Sequence, residues 1–555
     1  MKTKVINLLN KETKLLKEEL ENLVEIPKDP QLGDFAFPCF KLSKDMKKSP
    51  LEISKELAST IKSPDFEKII SAGPYLNFFI NRKKLAENIL RKILKEKENF
   101  GKKKKNNKKI LIDCSSPNIA KPFGIGHLRS TIIGNAIAKI SEFQGYSSIK
   151  INYLGDWGTQ FGKLITGYKK FSDEKKLKEN PIAHLQEIYV KVNQDSSLDQ
   201  ESRDWFKKLE QGDKSALLLW KKFRELSLVE FQKIYDLLEI NFEVLSGESL
   251  YNKKMNSTVS LLSEKGLLSK SDGAEIVNLE DYGLGVALIR KSDGATLYAT
   301  RDLTAAIDRF RDYNFEKMIY EVGSEQTLHF KQVFKILNLL GFKWSEKCIH
   351  VAHGLYLDKD GKKFSTRRGK NVYMIDVLNE TISLAEKEIS KREPEINSSE
   401  VKKRAKKVAL AAVFYGDLRN YRLNDSIFDI EKFLSFEGNT GPYLLYTYAR
   451  AKSILKKSQG KKLKNSNEKI TNSEKNLIFQ LSQFPEIVEK AYNDLAPNIL
   501  ANYSYSISKS FNEYYHSTQV IDSEQESFRL NLVESFSIIL KSALNLLGIS
   551  VLERM

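Results

Sequence analysis

The chain has 555 residues, too many for one hydrophobic core, so two to four domains are expected. Its hydrophobic fraction of 41% contains no apolar run of transmembrane length, which argues against a helical membrane span. The formal net charge of +18 suits either a lysine-rich solvated surface or a polyanionic partner such as RNA.

Residues 1 to about 98 read as a separate α+β module. One helix is predicted with Val5, Leu8, Leu9, Leu15, Leu16, Leu20 and Leu23 along one side, running into Pro27 and Pro30. Its acids Glu12, Glu18, Glu19 and Glu21, and the lack of an apolar signal core, point to a cytoplasmic protein rather than one with a leader. GDFAFPCFKLSK gives a turn and a short aromatic strand, a second helix covers about 51–61, and 69–80 reads as a strand pair around Gly73-Pro74. The run 99–109, NFGKKKKNNKK, is a basic boundary that reads first as a solvated linker and second as an RNA contact.

In Lys109 to Gly145, Ile110, Leu111 and Ile112 form an apolar run ending at Asp113 and Cys114, the pattern of a parallel strand buried on both faces. Leu128, Ile132, Ile133, Ala136, Ile137, Ile140 and Phe143 recur at helical spacing, in a helix beginning at His127 and stopping at Gly145. Between strand and helix, Gly124 and Gly126 let backbone approach a bound group closely, and His127 stands at the positive helix end. A phosphate is the natural ligand there; a plain βα turn with a surface histidine is the alternative. Ile149, Ile151 and Tyr153 form a second strand that breaks at Gly155-Asp156, so a parallel βαβ crossover gathers the SSPN and GDWG loops at one end.

A helical insertion is expected over about 171–245. The sheet is then expected to resume with Glu275 to Leu279, Val286 to Arg290 and Thr296 to Ala299, with Ser292-Asp293-Gly294 as a hairpin turn. A helix over Arg301 to Phe310 precedes a buried strand, Met318 to Val322, which ends at Gly323-Ser324-Glu325-Gln326. From about residue 400 helical patterns dominate: Val408 to Tyr415, Tyr443 to Leu455, Asn476 to Ala491, Ile499 to Tyr515 and Leu530 to Leu547, with a lysine-rich connection near 456–469. The fold class is therefore multidomain α/β. A Rossmann-like parallel-sheet domain over 110–399 lies between the small α+β N-terminal domain and an all-α bundle over 400–555.

A second chemical signal lies in DGKKFSTRRGKN. Lys363, Ser365, Thr366, Arg367 and Arg368 crowd between Gly361 and Gly369, which suits a polyphosphate gaining charge; a basic surface loop is the alternative. In FEGNTGPYLLYTYARAKSIL, Tyr443, Tyr446 and Tyr448 interleave with Arg450 and Lys452, as suits unpaired RNA bases, although for any one tyrosine a core position is favoured; Phe436 and Asn439 of the same segment are further candidate tRNA contacts. His350 and His353 lie three apart in a strand-like segment and point to opposite faces, so no shared metal is expected, and His329 reads as packing. Cys39, Cys114 and Cys348 have neither zinc-ligand nor disulfide-framework spacing, consistent with a reducing compartment.

SSPNIAKPF and GHLRSTIIGN together resemble the arginyl-tRNA synthetase form of the HIGH signature of class I aminoacyl-tRNA synthetases. KFSTRRG resembles that family's form of the KMSKS signature, and TLYATRD resembles its YATRD segment. LGDWGTQFG, the FEGNTGPY region and the chain end LNLLGISVLERM extend the resemblance, and GDFAF and GPYLNF match more weakly, so it covers essentially the whole chain. It implies an enzyme that activates L-arginine with ATP, entering as its Mg2+ complex, to arginyl-adenylate. The arginine then passes to the 3'-terminal adenosine of tRNA(Arg), releasing AMP and pyrophosphate; the family generally needs bound tRNA for activation. A monomer without a structural metal is expected, with its N-terminal module on the tRNA elbow and its C-terminal bundle on the anticodon.

Carried over by resemblance, His127, Lys121 and Lys363 act on the ATP phosphates, together with Gly124, Gly126, Ser365 and Arg367. Lys121 takes the place of the second KMSKS lysine, which is Thr366 here. A guanidinium fork needs facing carboxylates, for which Asp113, Glu248 and Asp302 are candidates from strand ends. Asp302 taken alone reads rather as a helix N-cap or first-turn acid; the YATRD likeness assigns Tyr298 and Asp302 to the guanidinium. Ser116, Asn118, His127 and Gln326 match positions around the rest of the amino acid. The family's first signature histidine is Gly124 here, which puts one imidazole donor in doubt. A class I synthetase for another amino acid and a tRNA-binding paralogue that lost activation remain as alternatives.

Overall fold

The computed structural model describes residues 1–292, 298–362, 373–458 and 470–555. At its centre, among the described residues, is a five-stranded parallel sheet: Lys109–Asp113 (β1), Ser147–Leu154 (β2), Val244–Gly247 (β3), Lys317–Gly323 (β4) and Cys348–His353 (β5). The spatial order is β5-β4-β1-β2-β3, so β1 is hydrogen-bonded on both edges, Asp113 pairing with Ile151 on one side and Tyr320 on the other. Ile110 and Ile112 turn into one core and Leu111 into the other, which is why the strand reads as an unbroken apolar run. The connections run outward from β1 in one direction and then resume at β4 in the other. Such a reversal is where an open parallel sheet places its ligand crevice, here outside the carboxyl ends of β1 and β4.

Helices Ile125–Phe143 (α1), Lys214–Leu238 (α2), Tyr298–Tyr313 (α3), Thr327–Leu339 (α4) and Ser398–Leu418 (α5) surround the sheet. α1 lies close against β1 because Gly134 faces Cys114: a Cβ there would stand 2.5 Å from both Cβ and Sγ of Cys114. The insertion is helical as expected, over Glu174–Glu179, Pro181–Gln194, Asp199–Glu210 and α2.

Several elements differ from the sequence reading. The strands Ala274–Asn278 and Val286–Arg290 do not extend the parallel sheet but form a separate antiparallel one with Ser269–Ser271. Tyr298 and Ala299 are not in a strand; they open α3, while 293–297, including most of the expected hairpin turn, lie outside the described residues. The N-terminal helix is two, Lys2–Thr13 and Lys17–Leu23, broken at Lys14 in the left-handed conformation, and Leu16 is 66% exposed. The expected helix 476–491 is also two, Asn472–Ser482 and Phe484–Asn493, because Pro485 cannot donate within a continuous helix.

The N-terminal sheet has Tyr75–Ile80 between Phe35–Pro38 and Phe66–Ala72, all antiparallel. An additional helix, Arg82–Glu96, buries Leu85, Ala86, Leu90 and Ile93 and packs on Asn472–Ser482 and Glu526–Leu546, seating this module on the C-terminal bundle. The sequence reading ends the module's elements at the strand pair 69–80 and assigns none to 82–96, where an apolar stripe runs through a charge-rich sequence. No helix among the described residues is long and apolar enough to cross a membrane.

Gly134→Ala adds a methyl where strand and helix already touch, so the protein should lose about 1–3 kcal/mol despite the better helix propensity of alanine. A thermal unfolding curve matching that of the unmodified protein would show that α1 can move away from β1 freely.

Candidate functional site

Beyond β1 the chain turns tightly. Ser115, Ser116 and Ala120 have φ of 74°, 48° and 57°, the left-handed region that costs a residue with a Cβ about 1 kcal/mol or more. Three hydrogen bonds hold this backbone. The Ser115 amide donates to Ser130 Oγ at 2.9 Å, Ser130 Oγ donates to the Glu321 carbonyl at 2.8 Å, and the Ala120 amide donates to Ser227 Oγ of α2 at 2.8 Å. One hydroxyl of α1 thus bridges the loop after β1 and strand β4. The SSPN and GDWG loops meet as expected: Asn118 bridges to Gly155, where any Cβ would collide with Asn118 Oδ1.

α1 begins at Ile125, two residues before the expected start, with Gly124 as its N-cap. The Gly124 amide donates to His127 Nδ1 at 3.0 Å, which leaves the ring proton on Nε2. Burial, and to a lesser degree His353, pull His127 down to about 4, so its imidazole is neutral near pH 7. Gly126 is exposed, and a Cβ built on it would meet nothing within 4 Å, leaving the first turn open to an anion. Lys121 stands with Nζ 5.7 Å from the ring of Tyr189 on the helical insertion. Lys363, Ser365, Thr366, Arg367 and Arg368 lie outside the described residues.

The three candidate carboxylates share one electrostatic neighbourhood: after burial, the charge of Asp302 adds to what raises both Asp113 and Glu248. Two of them are already matched by the protein's own guanidiniums. Asp113 holds Arg309 Nη2 at 2.8 Å and accepts from Ser116 Oγ at 2.9 Å. Glu248 holds Arg301 Nη1 at 3.2 Å and accepts from the Trp157 amide at 3.3 Å. Burial raises Asp113 above the usual carboxylate range despite Arg309, and raises Glu248 to about 7 despite Arg301. Asp302 differs: its partner is an imidazole, His329 Nε2 at 2.6 Å, so His329 does more than pack. Asp302 is therefore the one of the three whose partner is not a permanent cation.

Tyr298, 61% exposed, precedes Asp302 by four residues on α3 and shares its face. Gln326 is the exposed N-cap of α4 but makes no side-chain cap bond, so its amide is not used by the helix. Tyr153 and Tyr320 flank Arg309 at 5.0 and 5.6 Å. The sequence reading missed Arg301, Arg309 and His329. The available signal was helical spacing, since Arg309 follows Asp302 by seven residues and returns to the same side.

In the C-terminal bundle a hollow of about 470 Å³ is lined by Arg392, Phe436, Tyr443, Tyr446, Arg450 and His516, and it adjoins another of about 280 Å³ that reaches Arg404 and Met555. Arg392 stacks 4.0 Å from the Phe436 ring, and Arg450 lies 4.9 Å from Tyr446 and 5.0 Å from Tyr515. Two of the expected RNA contacts fall elsewhere. Tyr448, about 200° around the helix from Tyr446, is only 3% exposed and belongs to the core. Asn439 is held within the fold, its Oδ1 accepting from Tyr415 OH at 2.5 Å and its carbonyl from Arg419.

Comparison with known proteins bears on all of these elements. A model of the class I arginine-type tRNA synthetase catalytic domain matches residues 89–430, one of the DALR anticodon-binding domain matches 444–555, and one of the arginyl-tRNA synthetase N-terminal domain matches 1–80. The arginine–tRNA ligase of Exiguobacterium sibiricum is 45% identical over 549 residues, covering 98% of this chain and 97% of that protein. Arginine–tRNA ligase 2 of Bacillus anthracis is 45% identical over 547 residues with the same coverage. Among solved structures, the arginyl-tRNA synthetase of Plasmodium falciparum superposes with a TM-score of 0.81 at 26% identity over 99% of both chains. That of Thermus thermophilus gives 0.83 at 24% identity over 96% of both, a likeness of fold. The chain belongs to the arginyl-tRNA synthetase family of class I aminoacyl-tRNA synthetases.

Proposed function

We propose that the protein ligates L-arginine to tRNA(Arg) at this crevice. The carrying observation is the juxtaposition at one strand reversal of an open helix N-terminus bearing a neutral imidazole and a carboxylate, Asp302, whose partner among the described residues is an imidazole rather than a permanent cation. The substrate guanidinium is read as meeting Asp302 beside Tyr298. Asp113 and Glu248, occupied by Arg309 and Arg301, shape the wall behind it. Ser116, Asn118 and Gln326 are read as surrounding the rest of the amino acid. Its carboxylate attacks the α-phosphorus of ATP, which enters as its Mg2+ complex, and pyrophosphate leaves. His127 Nε2–H donates to the α-phosphate, with the amides of the first turn around Gly124 and Gly126. Lys121, Lys363, Ser365 and Arg367 are read as carrying the remaining phosphate charge. Positioning and charge stabilisation dominate such a step.

The terminal adenosine's ribose hydroxyl of the tRNA then attacks the adenylate carbonyl and AMP leaves. Phe436, Tyr443, Tyr446 and Arg450 line a hollow suited to stacking unpaired bases, which supports the anticodon reading. A monomer is the proposed state, and the buried free cysteines Cys39, Cys114 and Cys348 suit a cytoplasmic protein. Gly124 offers no imidazole, yet its amide does a different job by pinning His127.

ATP–pyrophosphate exchange with tRNA present should respond to arginine alone among the twenty amino acids. No exchange with any would instead indicate a tRNA-binding paralogue without activation. Asp302→Ala should raise the KM for arginine about a hundredfold, the scale of losing a buried charge-assisted contact, and move the KM for ATP far less; equal effects would reject the guanidinium role. Between pH 4 and 6.5 the unfolded chain binds a proton at His127 that the folded chain refuses, so stability falls as pH drops through that window. His127→Asn should therefore lose less stability than the unmodified protein between pH 7 and pH 5, and equal losses would rule out a neutral, desolvated imidazole.

A further inference from the structure

Arg129, two residues after His127 on α1, is buried with 1% of its side chain exposed, and its guanidinium reaches three separate parts of the chain. Nε stands 3.1 Å from Oδ1 of Asp417 on α5, itself 1% exposed; Nη1 donates to the Leu355 carbonyl at 3.2 Å; Nη2 donates to the Asn424 carbonyl at 2.9 Å. The ring of Tyr356 lies 5.4 Å from the guanidinium carbon. The segments it reaches are themselves sewn together. The Gly354 amide donates to the Arg422 carbonyl at 2.9 Å and the Leu355 amide to Asp425 Oδ1 at 2.7 Å, and Tyr356–Leu357 pairs in parallel with Ser426–Ile427. Gly354 follows directly on β5, and the chain runs on from Leu357 towards Lys363.

Stability alone gives little reason for this arrangement. A buried ion pair contributes no more than well-packed apolar side chains of the same volume. What a guanidinium adds is a rigid planar fork that bonds several acceptors in fixed directions, which an ammonium cannot do. We propose that Arg129 is a positioning residue for adenylate formation, setting the separation between His127 and the segment that leads from β5 to Lys363. It does so by hydrogen-bonding the Leu355 and Asn424 carbonyls while its charge pairs with that of Asp417 on α5. The inference rests on the ATP-site reading given above.

Arg129→Lys keeps the charge beside Asp417 but gives up the fork. Measured on folded enzyme by pyrophosphate exchange with tRNA present, it should lower kcat about a hundredfold, the scale of an ångström-sized misplacement, while the KM for arginine stays close to that of the unmodified protein. A purely structural role would lower the melting temperature and the folded fraction without this split. The double variant Arg129→Met with Asp417→Leu removes both buried charges together; it should fold and keep the same kcat defect. Exchange at the unmodified rate by either folded variant overturns the inference. His127→Asn serves as the control: if it exchanges normally, the ATP-site reading falls and takes the Arg129 inference with it. If it is crippled while Arg129→Lys is normal, only the Arg129 inference falls.

Discussion

A strand hydrogen-bonded on both edges and covered on both faces has no free group left along its length, and β1 is such a strand. Everything chemical must therefore happen beyond its end, where the ladder to β4 stops at Asp113 and Tyr320. The tight left-handed turn at Ser115 and Ser116, the Asn118–Gly155 bridge and the capped start of α1 all follow from having to leave the sheet abruptly at one point. The backbone strain is supportable because side chains from α1 and α2 take up the amides that the turn exposes.

The same crowding governs the charges. Removing carboxylates from water is costly unless each is matched, and Asp113 and Glu248 are matched by Arg309 and Arg301 from a single helix. That leaves Asp302 distinct, with an imidazole in place of a fixed cation. The wall thus carries two built-in guanidiniums and a third carboxylate whose partner is His329, which is the feature the proposed arginine site rests on.

Periodicity and turn chemistry exposed the Rossmann-like core, because β1 and α1 carry their burial pattern in consecutive residues, and the ordered signatures brought Asp302 and His127 into view. What stayed hidden depends on groups far apart in the chain. Nothing around Arg129 marks it as buried, since its partners Leu355, Asp417 and Asn424 lie hundreds of residues later. The pairing of Asp113 with Arg309 is hidden for the same reason. Local pattern also misled where a single residue overrode it: Lys14 turned left-handed inside a continuous leucine stripe, and Pro485 split an apparently single helix. Tyr448 was grouped with Tyr446 by proximity in sequence although helical geometry sets them on different faces.

Ser130 shows how unevenly such a fold distributes its tolerance for change. Ile, Val, Leu or Met can trade places at small cost at the buried apolar positions of the strands flanking the crevice, such as Ile110, Leu111, Ile112 and Ile319. Beyond the ladder, the Ser130 hydroxyl joins the loop after β1 to β4, receiving from Ser115 and giving to Glu321. Threonine could repeat that exchange only if its extra methyl fitted beside α1, and alanine would leave both neighbours without a partner. Sequence drift in this protein should thus run freely through the sheet interior and halt at a small polar residue one turn inside a helix. Past the end of the main-chain ladder, that side chain carries the connection between the two strands.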